Sequence, residues 1–101
     1  MIENTMRPIH PEEILRGEFQ KPANMTTNSL AKALRVNAPR INDIVRKQRG
    51  ITQDTALRLA TFLHTSAQFW LNLQSAYDLK REYVEKGELI RIEIVPLPVE
   101  K

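Results

Sequence analysis

Two short helical patterns lie near the centre of the chain, separated by about three residues. Apolar residues recur at helical spacing over residues 27–34 and again over residues 38–48. Asn37, Ala38 and Pro39 mark the break between them, because proline is tolerated in the first turn of a helix and not in its middle. Two short helices joined by so short a turn have the spacing of a helix-turn-helix unit.

Three further helical patterns surround this unit, so the sequence predicts an all-α fold of five helices. The first begins at Pro11 and continues to residue 20. The fourth follows a cap at Thr52, after a left-handed stop predicted at Gly50. The fifth follows a cap at Ser66 and is predicted to end at residues 86–87. Its apolar face is broad, which indicates packing on two sides.

The C-terminal residues follow a different period. Isoleucines alternate with charged residues over 90–94, the pattern of a half-buried β-strand, until Pro96 stops it. A single strand cannot satisfy its own hydrogen bonds, so it must pair with another strand, and a second copy of the chain is one source. The expected organisation is an N-terminal arm at 1–9, a helix-turn-helix domain at 10–86 and a C-terminal strand or tail at 87–101.

Positive charge is concentrated in the same central region. The whole chain has a formal net charge of +3, whereas residues 32–58 alone carry seven Lys or Arg against two Asp, a net charge of +5. The segments on either side are each at −1. A cationic zone between mildly acidic flanks is the footprint expected for phosphate binding. A solvated face that is basic for solubility would have the same composition.

The second helix of the central unit would lie in the major groove of DNA. Asn42 could pair with adenine and Asp43 could accept from cytosine N4, the alternative being a helix cap with solvated polar residues. Phosphate contacts are predicted for Arg46, Lys47, Arg49 and Thr52, which could instead serve only surface solubility. Arg40 could stack along its own helix or form an ion pair with Asp43. The predicted DNA-binding residues are Asn37, Ala38, Pro39, Arg40, Asn42, Asp43, Arg46, Lys47, Arg49 and Thr52.

Other functions find little support. Cysteine is absent and the two histidines are far apart, so we expect no metal site. The three glycines are isolated and form no phosphate-binding loop, and we expect no cofactor and no enzymatic activity. No apolar run is long enough to span a membrane, and the first eight residues lack the apolar stretch of a secretory signal. The expected location is the cytoplasm.

Several longer segments resemble the HigA-type antitoxins, also called VapI-like, of the Xre/lambda-repressor-like superfamily. The likeness covers roughly residues 8–80 and departs from the family at Glu12 and Arg35, where glycine is usual. Arg35 would then hold a left-handed backbone or add a phosphate contact. The segments that carry the likeness are His10-Pro11-Glu12-Glu13-Ile14-Leu15, Leu30-Ala31-Lys32-Ala33-Leu34, residues 40–45, Arg49-Gly50-Ile51-Thr52, residues 56–60, Ser66-Ala67-Gln68-Phe69-Trp70-Leu71-Asn72-Leu73-Gln74 and Tyr77-Asp78-Leu79.

The resemblance implies a lambda-repressor-like domain that forms homodimers and represses its own toxin–antitoxin operon. Its partners would be double-stranded operator DNA and a HigB-type toxin, a ribosome-dependent mRNA-cleaving protein of the RelE fold. A solitary helix-turn-helix regulator with no toxin partner is the alternative. Such proteins dimerise through the last helix and the C-terminal segment. The dimerisation residues predicted on this basis are Trp70, Leu73, Ala76, Tyr77, Leu79, Tyr83, Ile90, Ile92 and Ile94, although Trp70 also has the pattern of a core residue.

Overall fold

Helices make up all of the regular structure in residues 7–99, the part of the chain that the computed structural model describes. Residues 1–6 and 100–101, and with them most of the predicted arm at 1–9 and the end of the predicted tail at 87–101, lie outside it. The helices are α1 (Pro11–Ile14, continued by a π-helical segment, Leu15–Gln20), α2 (Thr27–Leu34), α3 (Ala38–Val45), α4 (Gln53–Leu63) and α5 (Ala67–Glu93). The all-helical prediction is confirmed.

Polar side chains fix the residue at which each of the later helices begins. Thr26 caps α2, and its hydroxyl accepts from a backbone N–H that the helix itself cannot satisfy. Asn37, Thr52 and Ser66 cap α3, α4 and α5 in the same way. These starting points are the ones that the sequence pattern indicates, because a cap is a local interaction between neighbouring residues.

Helix α3 ends earlier than predicted and by a different device. It stops at Val45, and Lys47 adopts the left-handed backbone (φ 63°), whereas no described glycine has a positive φ. The left-handed stop predicted at Gly50 is therefore wrong. Gly50 is needed for close approach instead, because a Cβ atom there would lie 2.8 Å from the side-chain carboxamide of Gln74.

The core is formed where α1 and α4 pack against the first part of α5 and α2 packs against α3 and α4. Trp70 is its largest buried side chain at 0% exposure, and its indole N–H donates to the Thr65 hydroxyl at 2.8 Å. The rings of Phe19 and Phe69 pack on it with centroid distances of 5.5 and 5.0 Å. Trp70 is thus a core residue of the protomer and not part of a dimer surface, which corrects its inclusion among the dimerisation residues. The buried apolar residues are Leu15, Leu30, Ala31, Leu34, Ile41, Ile44, Ile51, Ala56, Leu59 and Trp70.

Helix α5 extends well beyond its predicted end. It has 27 residues, and from Arg81 onward every described residue is exposed except the partly buried Gly87. The molecule measures 55 × 26 × 22 Å, so this half of α5 projects from the body of the domain. Among the described residues, neither α5 nor any shorter helix is sufficiently long and apolar to cross a membrane.

The predicted C-terminal β-strand is wrong. Residues 90–93 are helical, the N–H of Ile94 donates to the Ile90 carbonyl at 2.9 Å, and the described residues contain no strand. A helix satisfies its backbone hydrogen bonds within the segment, whereas a strand needs a neighbour. Gly87 does not stop the helix, which continues through it to Glu93. The Tyr83 ring packs against Gly87, and a Cβ atom at this position would lie 2.7 Å from that ring. The chain becomes extended from Ile94, ahead of Pro96.

Candidate nucleic-acid interface

Helix α3 has one side in the core and the opposite side accessible. Ile41 and Ile44 are fully buried, while Pro39 and Arg46 are exposed and Asn42 is partly exposed. Residues spaced by three, four and seven positions share one face of a helix. Pro39, Asn42, Asp43 and Arg46 therefore lie together on the accessible face. This arrangement is what a recognition helix requires, because the accessible face must fit the major groove.

The start of α3 combines capping with exposure. The Asn37 Oδ1 atom accepts from the Arg40 N–H at 3.2 Å. This oxygen therefore caps α3, as the alternative interpretation of Asn37 predicts. The amide N–H groups of Asn37 have no partner among the described residues and are free to donate to a ligand. Ala38 packs against the core and Pro39 is exposed. Of these three residues, Asn37 and Pro39 offer accessible surface.

Arg40 joins α3 to α4 through an ion pair. Its guanidinium contacts Asp54 Oδ2 at 2.5 Å, and Arg58 contacts the same oxygen at 2.8 Å. These hydrogen bonds, first from Arg40 and then from Arg58, hold the pKa of Asp54 below its usual range. The alternative pairing of Arg40 with Asp43 is wrong, because Asp43 pairs with Arg49 at 3.5 Å. Part of the Arg40 charge is therefore already compensated within the protein.

The loop between α3 and α4, residues 46–52, carries three cations in different surroundings. Arg46 is exposed and has no ion-pair partner in residues 7–99. Arg49 pairs with Asp43, and Lys47 Nζ lies 3.5 Å from Glu13. Of the three, Arg46 alone is uncompensated within residues 7–99, so it can meet a phosphate without first breaking an ion pair. Thr52, at the end of this loop, is exposed although its hydroxyl caps α4.

A buried carboxylate lies beneath Lys47. Glu12 is 1% exposed, with Lys47 Nζ at 3.9 Å and Arg16 at 3.5 Å from its two oxygens. The neighbouring Glu13 accepts two hydrogen bonds of 2.8 Å from Arg7, which lower its pKa to about 2. Two carboxylates of α1 thus attract the Lys47 ammonium group. We therefore rank Lys47 below Arg46 as a phosphate contact.

His10 connects α1 to the same loop. Its Nδ1 accepts from the Glu12 N–H at 3.1 Å, which caps α1, and its ring interacts with the main-chain carbonyl of Arg49. The ring is 2% exposed, and Tyr77 meets it edge-on with centroids 4.7 Å apart. Burial, and then the charge of Lys47, lowers the pKa of His10. The imidazole is therefore neutral at pH 7.

The sequence did not predict the residues of α5 that hold this loop in place. The N–H of Ile51 donates to Gln74 Oε1 at 2.8 Å, and Gln74 Nε2 donates to Asp78 Oδ1 at 3.0 Å. The available signal was Gly50, a glycine in a tight connection that implies close approach of another group. Lys32, an exposed cation on α2, was also not placed among the DNA-binding residues. Arg35, which ends α2, is exposed too, and its phosphate contact stays a prediction. The left-handed backbone expected at Arg35 is present, with φ 60°.

The remaining predicted dimerisation residues fall into two groups. Leu73 packs against the core and Tyr77 packs against His10, so both are largely engaged within the protomer. The other six are exposed on α5 or just after it, and five of them are large apolar side chains at 44–72% exposure. This exposed group is Ala76, Leu79, Tyr83, Ile90, Ile92 and Ile94.

Comparison with known proteins agrees with this geometry. The helix-turn-helix family matches residues 20–70, from just before α2 to the start of α5. Virulence-associated protein I of Dichelobacter nodosus is 55% identical over 94% of this chain and 86% of its own length. The structure of Pseudomonas aeruginosa antitoxin HigA with the higBA promoter superposes with a TM-score of 0.88 at 54% identity, covering 91% of this chain and all of that one. That of antitoxin GraA in complex with its operator has a TM-score of 0.89 at 44% identity, covering 98% and 100%.

The fold and the accessible face of α3 define a helix-turn-helix DNA-binding protein. Within that class, the chain belongs to the family of HigA-type, VapI-like antitoxins.

Proposed function

We propose that this protein is an antitoxin that binds the operator of its own toxin–antitoxin operon and represses it. The observation that carries the proposal is the accessible side of α3, where Pro39, Asn42 and Arg46 lie opposite the buried Ile41 and Ile44. Similar structures at 54% and 44% identity contain promoter or operator DNA, which supports the proposal. Helix α3 would enter the major groove, with Asn42 reading a base and Arg46 contacting phosphate.

The charges assign different weights to the proposed phosphate contacts. Arg46 is uncompensated, whereas Lys47 and Arg49 are paired with carboxylates of α1 and α3. A cation already paired in the free protein releases less free energy when it meets a phosphate, because its ion pair weakens. Arg46 should therefore contribute the largest single share of the salt dependence of binding.

A second copy of the chain is the occupant that we propose for the exposed face of α5. Leu79, Tyr83, Gly87, Ile90 and Ile94 follow one another at helical spacing and form what we call the α5 stripe. A groove of about 270 Å³ lies along the stripe. It is lined by Leu79, Tyr83, Gly87 and Ile90 together with Glu82 and Arg91. Large apolar side chains on a projecting helix are unfavourable in water, and two identical stripes cover one another in an isologous dimer. Ile92 lies on the opposite side of the helix from the stripe.

Dimerisation fits the proposed mode of DNA binding. Two copies of α3, related by a two-fold axis, would meet two half-sites about one DNA turn apart, roughly 34–36 Å. The proposed dimer face lies on α5 and the proposed DNA-binding face on α3. We propose that the same molecule holds a partner copy and DNA at once.

Binding of a HigB-type toxin is supported by membership of the family and not by a feature of the site. Its test is growth rescue, in which the gene beside this one is induced in cells with and without this protein. Rescue together with co-purification supports the antitoxin role. Failure to rescue favours the alternative of a solitary transcriptional regulator.

The DNA-binding proposal is tested with Arg46→Ala, using Arg81→Ala as a control that removes the same kind of charge from the side of α5 opposite the stripe. Arg46→Ala should weaken operator binding on all sequences and reduce the slope of log K against log salt by about 2 for a dimer, one contact per protomer. Arg81→Ala should leave both values unchanged. Equal binding by Arg46→Ala and the wild type, measured by fluorescence anisotropy at several salt concentrations, would contradict the docking.

A further inference from the structure

We propose that Gln74 is a positioning residue for DNA binding. Its side chain holds the loop at residues 46–52 in place and does not itself touch DNA. The inference rests on the proposed function, because it assigns a support to the segment that would contact phosphate. Gln74 lies on α5, 23 positions along the chain from the loop residue to which it bonds. It is therefore a tertiary anchor and not part of the local structure of the loop.

A hydrogen bond from the backbone of the loop ends on the Gln74 side chain. Ile51 is 4% exposed and precedes the cap of α4, so its N–H has no partner within a helix. The Gln74 Oε1 atom supplies that partner at 2.8 Å. A buried backbone N–H without an acceptor is strongly unfavourable, so this contact restricts where the loop backbone can lie. Asp78 orients the carboxamide by accepting from Gln74 Nε2, which directs the oxygen and not the nitrogen toward Ile51.

The same carboxamide also packs closely against Gly50. A Cβ atom at position 50 would stand 2.8–2.9 Å from all three terminal atoms of the Gln74 carboxamide. Real Cβ atoms essentially never approach so closely, and Gly50 has no positive φ that would otherwise demand glycine. Glycine at position 50 thus leaves the space that the Gln74 carboxamide occupies.

The anchored amide lies between the functional parts of the loop. Arg49 precedes Gly50, and Thr52 follows Ile51 and caps α4. His10, which caps α1, also interacts with the Arg49 main chain. A loop fixed in this way presents its cations in one arrangement, and less conformational entropy is lost when it meets phosphates.

The test compares Gln74→Met, which keeps the length of the side chain but lacks the carboxamide, with Asn72→Ala as a control. Asn72 is an exposed carboxamide on the same helix, and it accepts a hydrogen bond of 2.9 Å from Gln68 of its own helix instead of bonding to the loop. Gln74→Met should weaken operator binding by about fivefold to tenfold, as loss of one positioning hydrogen bond implies, with the salt slope unchanged. Hydrogen exchange of the Ile51 amide should become at least about tenfold faster, while that of Ala56 in α4 stays the same. Asn72→Ala should change neither.

A double-mutant cycle with Gly50→Ala supplies a readout that a merely structural residue would not move. Gly50→Ala alone should displace the carboxamide and weaken operator binding. In a Gln74→Ala background the space is vacant, so adding Gly50→Ala should change binding by less than about twofold. Thermal unfolding confirms that each variant is folded. Additive losses in the cycle, or wild-type binding and Ile51 exchange in Gln74→Met, would overturn the role of Gln74. Failure of the wild type to bind the operator would instead overturn the proposed function.

Discussion

Replacing Arg35 by glycine should stabilise the protein. Arg35 ends α2 with φ 60° and ψ 42°, in the left-handed region. That conformation costs a residue with a Cβ atom roughly 1–2 kcal/mol. Glycine avoids this cost but loses more conformational entropy on folding, which offsets about 0.5–1 kcal/mol. The net expectation is a gain of about 0.5–1 kcal/mol in the free energy of unfolding, or a Tm rise of about 2–8 °C for a domain of this size.

The control for this prediction is Arg35→Ala, which removes the same charge and keeps the strained backbone. Arg35 is exposed and has no ion pair in residues 7–99, so loss of its side chain should cost little stability. Both variants are compared with the wild type by urea and thermal unfolding at one protein concentration, because dimerisation would make Tm concentration-dependent. If Arg35→Gly is no more stable than Arg35→Ala, the backbone-strain argument is refuted.

Three further predictions concern acid stability and the α5 stripe. Because burial lowers the pKa of His10 in the folded state, its contribution to stability is complete above about pH 6.5 and is lost as the pH falls through the lowered value. His10→Asn, which can still cap α1, should therefore lose less stability than the wild type between pH 7.5 and pH 5 in urea unfolding. Glu13, with a pKa of about 2, contributes above about pH 4.5, so Glu13→Gln should flatten the stability profile below that pH. Ile90→Glu should shift the protein toward monomer in analytical ultracentrifugation, while Ile92→Glu, on the opposite side of α5, should not; equal effects would argue against the stripe.

The sequence predicts most accurately what depends on neighbouring residues. The caps at Thr52 and Ser66 and the break at Asn37 are read correctly, since each cap joins a side chain to a backbone N–H within three residues. The buried faces of α2 and α3 follow from helical spacing alone. Arg35 was also open to prediction, because a turn that usually holds glycine imposes its backbone on whatever residue stands there.

The errors come from choices that local pattern does not decide. Over residues 90–94 the isoleucines alternate, yet the backbone continues the helix because no strand lies beside it to accept its hydrogen bonds. The loop after α3 was read as a set of free cations, whereas Lys47 and Arg49 have carboxylate partners. Glu13 is 34 positions from Lys47, and Gln74 is 23 positions from Ile51. Contacts between such distant positions cannot be predicted from the periodicity of the sequence.

We expect the accessible face of α3 to lie along the bases of operator DNA. This docking is tested by measuring the affinity of the wild type and Asn42→Ala for a set of operators, each changed at one base pair, at a fixed salt concentration. Asn42 is partly exposed beside Arg46 on that face. Asn42→Ala should lose about 1–3 kcal/mol of discrimination at one position in each half-site and keep the preferences elsewhere. An unchanged preference at every position would contradict the claim.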